Sequence, residues 1–237
     1  MPDQSTKLAA TPVSITDERS VRVSGLLQAP SSSRACYVFA HGAGAGMKHP
    51  FMAAIAEGLA TRGIATLRYQ FPYMERGARR PDPPQLAHAT VRAAIAAAAG
   101  AFPGLPLVAG GKSFGGRMTS QAQAIAPLPG VRGLAFLGFP LHPAGKPSSE
   151  RATHLSAVHI PMLFLQGTRD PLAALELLEP LCRALGERAS LELFAEADHS
   201  FHVPARSGRT DVDVREVLLD ALSAWIATAI SVPLPEQ

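Results

Sequence analysis

The chain has 237 residues, 47% hydrophobic and 17% charged, which fits one folded domain with a substantial core and excludes a disordered chain. Its net charge is only +3, and the densest basic group, Arg76, Arg79 and Arg80, falls short of the stripe of cations with aromatic platforms that nucleic acid requires. No apolar run is long enough to span a bilayer and the polar start Met-Pro-Asp-Gln-Ser-Thr-Lys has no apolar targeting core, so a soluble, cytoplasmic protein with no membrane partner is expected.

In chain order, Val13 to Leu27 alternates apolar and polar residues at period two around Asp17-Glu18-Arg19, which reads as an antiparallel hairpin with one wet face. Ala35 to Ala40 is a continuous apolar run, followed by helical spacing over Pro50 to Arg62 and a second buried strand, Ile64 to Tyr69. A long loop from Gln70 to Pro84 leads to an alanine-rich helix, Leu86 to Ala99. Then come a strand at Leu105 to Ala109, a helix from Phe114 to Ala126, and strands at Gly133 to Phe139 and Pro161 to Gln166. A helix from about Leu172 to Leu185, a strand Ala189 to Phe194 and a long helix Asp211 to Ile230 complete the chain. Cys36 and Cys182 fall in apolar elements and read as reduced core thiols. The ends, Met1 to Thr11 and Val232 to Gln237, are rich in proline and polar residues and are expected to fray.

Strands apolar on both faces, alternating with helices after an antiparallel start, imply an α/β fold. Its sheet is mostly parallel with helices on both faces, in a single domain over residues 1–237 with its core at about 13–230. Right-handed crossovers then gather the loop after every strand on one edge. The connection from Phe139 to Pro161 is too short for a large lid, so any cover is expected from Phe71 to Arg80 or Phe201 to Thr210.

On that edge Gly111-Lys112-Ser113-Phe114-Gly115 forms a G-x-S-x-G turn between strand and helix. There a strained serine stands clear of both elements, and Gly111 and Gly115 give strand and helix room to approach. The Phe114 N–H, at the helix start, points at any oxyanion formed on a carbonyl that Ser113 attacks. The same residues mimic the tail of a phosphate-binding loop, but Pro106 stands where that motif needs glycine. Asp170, after the strand ending at Gln166, and His199, after the last strand, follow in the order Ser, Asp, His. That order assigns nucleophile, acid and base. Asp170 before Pro171 also suits a helix cap. His202 is a rival base; Asp198 is a rival acid, but next to His199 the two cannot easily both point inward, so it is read as a residue that shapes the loop.

The loop His41-Gly42-Ala43-Gly44 is expected to supply a second oxyanion donor, the Ala43 N–H first and Gly44 next. His41, Gly42, Gly44, Arg68 and Tyr73 are expected around the substrate, and Arg76, Arg79 and Arg80 at the mouth would favour anionic substrates. Gly42-x-Gly44-x-Gly46 lacks the G-x-G-x-x-G spacing of a dinucleotide site, and Arg68-Tyr69 ends the next strand where such a site needs an acid. The histidine pairs 154/159 and 199/202 have no cysteine or carboxylate at ligand spacing, so neither metal nor cofactor is expected.

Together, His41-Gly-Ala-Gly, Arg68-Tyr-Gln-Phe-Pro, Gly110-Gly-Lys-Ser-Phe-Gly-Gly-Arg117, Gly167-Thr-Arg-Asp170 and Asp198-His-Ser-Phe resemble the α/β-hydrolase-like family of testis-expressed protein 30 and nonspecific-lethal complex subunit 3. Bacterial members of that family are dienelactone-hydrolase-like. The resemblance runs from about Val13 to Ile230 and implies an α/β-hydrolase fold with Ser113, Asp170 and His199 as nucleophile, acid and base. Dienelactone hydrolases proper carry a cysteine nucleophile, and this chain has Ser113. The expected function is a serine hydrolase acting on a small ester, thioester or related acyl bond through an acyl-enzyme. The alternative is a hydrolase-like module that binds a protein partner without catalysis.

Overall fold

Eight strands and six α-helices form among residues 8–231, the part of the chain that the computed structural model describes. The strands are β1 (Thr11–Thr16), β2 (Arg22–Gln28), β3 (Ala35–Ala40), β4 (Ile64–Tyr69), β5 (Leu107–Lys112), β6 (Val131–Leu137), β7 (Met162–Gly167) and β8 (Ala189–Phe194). The helices are α1 (Pro50–Thr61), α2 (Pro72–Glu75), α3 (Pro84–Ala101), α4 (Phe114–Ile125), α5 (Leu175–Leu185) and α6 (Asp211–Ser231). One sheet holds all the strands in the order β1-β2-β4-β3-β5-β6-β7-β8. The hairpin β1–β2 joins antiparallel through β2 to β4, and β4, β3, β5, β6, β7 and β8 run parallel.

Burial follows from this order. Every residue of β3, β4 and β7 is buried, because central parallel strands carry helices on both faces. Alternate side chains of β3 serve two cores: Cys36, Val38 and Ala40 pack with α3, α4 and α5, whereas Ala35, Tyr37 and Phe39 pack with α1 and α6. Cys36 and Cys182 are free and buried, and burial pushes their thiols up to about 12 and about 11. No described helix is long and apolar enough to cross a membrane.

Several boundaries differ from the sequence reading. The expected strand Leu105 to Ala109 lies instead at Leu107–Lys112. Its glycines extend the strand where the sequence suggests a break, because side chains there have no room. A Cβ on Gly110 would lie 1.8 Å from the Ala135 carbonyl oxygen, and one on Gly111 2.4 Å from that of Ala40. The strand expected at Gly133 to Phe139 starts two residues earlier, at Val131–Leu137. The long loop from Gln70 contains the short helix α2, and a 3₁₀ helix at Glu150–Ala157 interrupts the connection into β7, where none was expected. Thr11, in the segment expected to fray, opens β1. Leu8 to Ala10 form neither helix nor strand, although the Leu8 carbonyl accepts from Gln28 Nε2 at 2.9 Å, and residues 1–7 and 232–237, on which the rest of that expectation falls, lie outside the described residues.

Candidate active site

Ser113 caps α4 directly after β5 with φ 51° and ψ −116°, a left-handed backbone that costs a non-glycine residue about 1–3 kcal/mol. The glycines around it make this turn possible, but mainly by a different contact from the one the motif suggests. Cβ atoms on Gly111 and Gly115 would lie 2.4 and 2.6 Å from the Ala40 carbonyl oxygen, so both let the turn press against the end of β3. The approach of helix to strand falls to Gly116, whose Cβ would lie 2.8 Å from the Gly111 carbonyl oxygen.

Three side chains from separate loops meet at this turn. The Ser113 hydroxyl lies 2.9 Å from His199 Nε2, and His199 Nδ1 lies 2.6 Å from Asp170 Oδ2. The Asp170 carboxylate is fully buried. Its Oδ1 accepts the Leu172 N–H at 2.8 Å and its Oδ2 the amide of Gln166. With Nδ1–H donated to the carboxylate, the Nε2 lone pair faces the hydroxyl and can accept its proton. Asp170 thus caps the turn before α5 and orients the imidazole at once. Gln166 also accepts the Phe139 N–H at 2.9 Å, so it ties the acid to the end of β6. The sequence reading passed over it, although a polar residue closing an apolar strand was the available signal. His202, the rival base, turns away to Asp211 at 2.9 Å on the surface, and that carboxylate raises its pKa. Asp198 Oδ1 accepts the N–H groups of Ser200 and His202 at 2.7 and 3.0 Å, which shapes the loop.

The loop after β3 is held from below. His41 is fully buried, its Nδ1 2.7 Å from the Gly42 carbonyl and its Nε2 accepting the Phe71 N–H at 3.1 Å. Those partners require the neutral ring with its proton on Nδ1, and burial lowers its pKa to about 4. The Gly44 N–H donates to Tyr73 Oη at 3.0 Å, so it is spent. Ala43 lines the cavity beside Ser113. Its N–H makes no hydrogen bond among the described residues, and the Phe114 N–H, first in α4, has no partner within the helix. Both can therefore serve a ligand oxygen.

A cavity of about 420 Å³ opens over Ser113 and His199. Its walls are largely apolar, with Ala43, Ala45, Phe51, Met52 and Leu172 beside the stem of Lys112. Gly42 lines it, whereas His41, Gly44, Arg68 and Tyr73 do not. Arg68 is buried and donates to the Met47 carbonyl and Gln28 Oε1, at 3.4 and 3.2 Å. Tyr73 is buried beneath the loop as its support. Arg76 pairs with Asp82 at 2.7 Å, and neither Arg79 nor Arg80 reaches the cavity. The two segments expected to cover the pocket contribute nothing to its walls. The start of α1 and Leu172 supply them instead, because Phe71 and Phe201 are drawn into the core. Among the described residues no group of three or more His, Cys, Asp or Glu could hold a metal ion.

A mostly parallel sheet with an antiparallel N-terminal hairpin, a serine on the sharp turn after β5, and an acid and a histidine on the loops after β7 and β8 define an α/β-hydrolase fold. The chain belongs to the alpha/beta hydrolase domain family, whose model matches residues 33–227. Its backbone is similar to that of a dienelactone hydrolase from Anabaena variabilis, with a TM-score of 0.75 at 21% identity over 94% of this chain and 98% of the other. It is also similar to a Xanthomonas campestris protein described as an α/β serine hydrolase without a lid, with a TM-score of 0.71 at 18% identity over 100% and 99% of the two chains. The esterase domain of a Rhodothermus marinus protein matches with a TM-score of 0.69 at 19% identity over 92% and 98%. At these identities the likeness is one of fold.

Proposed function

We propose that this protein is a serine hydrolase that cleaves a small, neutral ester or thioester through an acyl-enzyme on Ser113. The observation that carries the reading is the unbroken hydrogen-bonded chain from Ser113 Oγ through His199 to Asp170, at 2.9 and 2.6 Å. His199 Nε2 takes the hydroxyl proton as Ser113 Oγ attacks the substrate carbonyl, and Asp170 balances the imidazolium. The oxyanion accepts hydrogen bonds from the N–H groups of Phe114 and Ala43. Collapse of the intermediate expels the alcohol or thiol, which takes the proton back from His199. Water then attacks the acyl-enzyme with His199 again as base, releasing the acid and restoring Ser113.

The walls favour an uncharged acyl group. Phe51, Met52 and Leu172 offer apolar surface, and none of Arg76, Arg79 and Arg80 lines the cavity. Names of the fold neighbours, an esterase and a dienelactone hydrolase among them, agree with acyl chemistry. The resemblance of the elbow and loop motifs supports a place in the branch of testis-expressed protein 30 and nonspecific-lethal complex subunit 3, and two buried free cysteines support a cytoplasmic setting. A series of p-nitrophenyl esters from acetate to octanoate tests the reading. The expected profile peaks among the short chains and vanishes in Ser113→Ala. An activity that survives Ser113→Ala, or none on any ester from folded protein, overturns it.

A further inference from the structure

Lys112 precedes Ser113 and takes no part in the mechanism above, yet its ammonium is buried at the centre of the site. The stem runs along the cavity wall, and Nζ turns inward to donate to the His199 carbonyl at 2.5 Å, 5.6 Å from the centre of the Phe201 ring. Room for it is made by Gly138, at φ +69°. A Cβ there would lie 2.8 Å from Lys112 Nζ and 3.3 Å from His199 Nδ1. The ammonium and the imidazole therefore flank one point. Desolvating a cation here is costly even with the carboxylates of Asp170 and Asp198 facing it, and a methionine would fill the same space without that cost.

The loop that Lys112 grips is strained. Glu196 and Phe201 hold φ of 60° and 63°, conformations that persist only when their surroundings enforce them. Asp198 braces the turn from within through the N–H groups of Ser200 and His202. The Lys112 bond joins this loop to β5, the strand that leads into the serine.

Resting on the hydrolase reading, we propose that Lys112 is a positioning residue: its ammonium ties the backbone of His199 to the strand that leads into Ser113 and so keeps imidazole and hydroxyl in line. The charged and titratable groups that face it are Asp170, from the loop after β7, and Asp198 and His199, from the loop after β8. Burial lowers the Lys112 pKa to about 8, against the opposing pull of both carboxylates. The charge-assisted bond to His199 is thus present at neutral pH and lost as the pH rises through that value.

The test compares wild type with Lys112→Met and with Lys112→Cys aminoethylated to a thia-lysine, whose amine is more acidic. Each is followed from pH 6 to 10 by p-nitrophenyl butyrate turnover and by the amide resonances of Ser200 and Phe201. In wild type, kcat is expected to fall and the resonances to shift together with a midpoint of about 8. In Lys112→Met, kcat at pH 7 falls roughly ten- to a hundredfold with KM little changed, and both transitions vanish. The thia-lysine restores kcat at pH 6, where its amine is charged, and moves both transitions to lower pH. A Lys112→Met enzyme with the wild-type kcat and alkaline limb overturns the proposal. So do wild-type resonances that stay still through pH 8 to 9, a readout that needs no variant to fold. If wild type hydrolyses no ester while the resonances still track the lysine, the hydrolase reading has failed and the tie stands.

Discussion

Replacing His41 with glutamine gives a stability difference whose pH dependence follows from the structure. The native ring is neutral, buried between the Gly42 carbonyl and the Phe71 N–H, with its pKa lowered from 6.5 to about 4 by burial. Above pH 6.5 the imidazole is neutral in the folded and unfolded chains alike. Between 6.5 and about 4 only the unfolded chain takes up the proton, so stability falls as the pH falls across that window and no further below it. At about 1.4 kcal/mol for each pH unit, the span from 6.5 to about 4 removes about 3 kcal/mol. Glutamine cannot titrate. At pH 7 His41→Gln loses the donor to Gly42 and is less stable by about 1–3 kcal/mol. On acidification the wild type loses its advantage and the two curves converge. Urea unfolding of both proteins between pH 7 and pH 4 measures the gap. Other acid-sensitive groups, such as His154 with its pKa of about 4, titrate in both proteins and cancel. A gap that stays constant across the window would mean that His41 is not held neutral, and the account of the loop below Ala43 would fail.

Three further predictions concern the turn at Ser113. Ser113→Gly relieves a left-handed backbone and is expected to raise stability by about 1 kcal/mol while abolishing ester turnover, read by thermal unfolding and assay together. In Gly111→Ala the new methyl meets the Ala40 carbonyl oxygen at 2.4 Å. Backbone cannot step aside cheaply, so a loss of about 3 kcal/mol or more in denaturant unfolding is expected. Asp170→Asn keeps the shape of the acid but not its charge, and kcat is expected to fall roughly 10⁴-fold with the fold retained by circular dichroism.

Which loops meet was more legible in the sequence than what supports them. Ser113, Asp170 and His199 could be picked out because each sits in a loop after an apolar run, and parallel topology brings such loops to one edge. Arg68 and Tyr73 do not line the cavity, because nearness in sequence to that edge says nothing of which way a side chain turns. Arg68 reaches back to Met47 and Gln28, and Tyr73 dives under the Gly44 loop. The extension of β5 through Gly110 and Gly111 was hidden because glycine marks breaks in most strands, and here it marks close contact with β3 and β6. Gln166 and Lys112 went unassigned for a related reason. Their partners, Asp170 and the His199 carbonyl, arrive only when the sheet has assembled.

Mass spectrometry of the folded protein after exposure to a fluorophosphonate tests the central claim most directly, since it asks one side chain to react. A single adduct mapped to Ser113 in wild type, sharply slowed in His199→Ala and absent in Ser113→Ala, is the result predicted. An unmodified Ser113, or an adduct on another residue that forms equally well without His199, would contradict it.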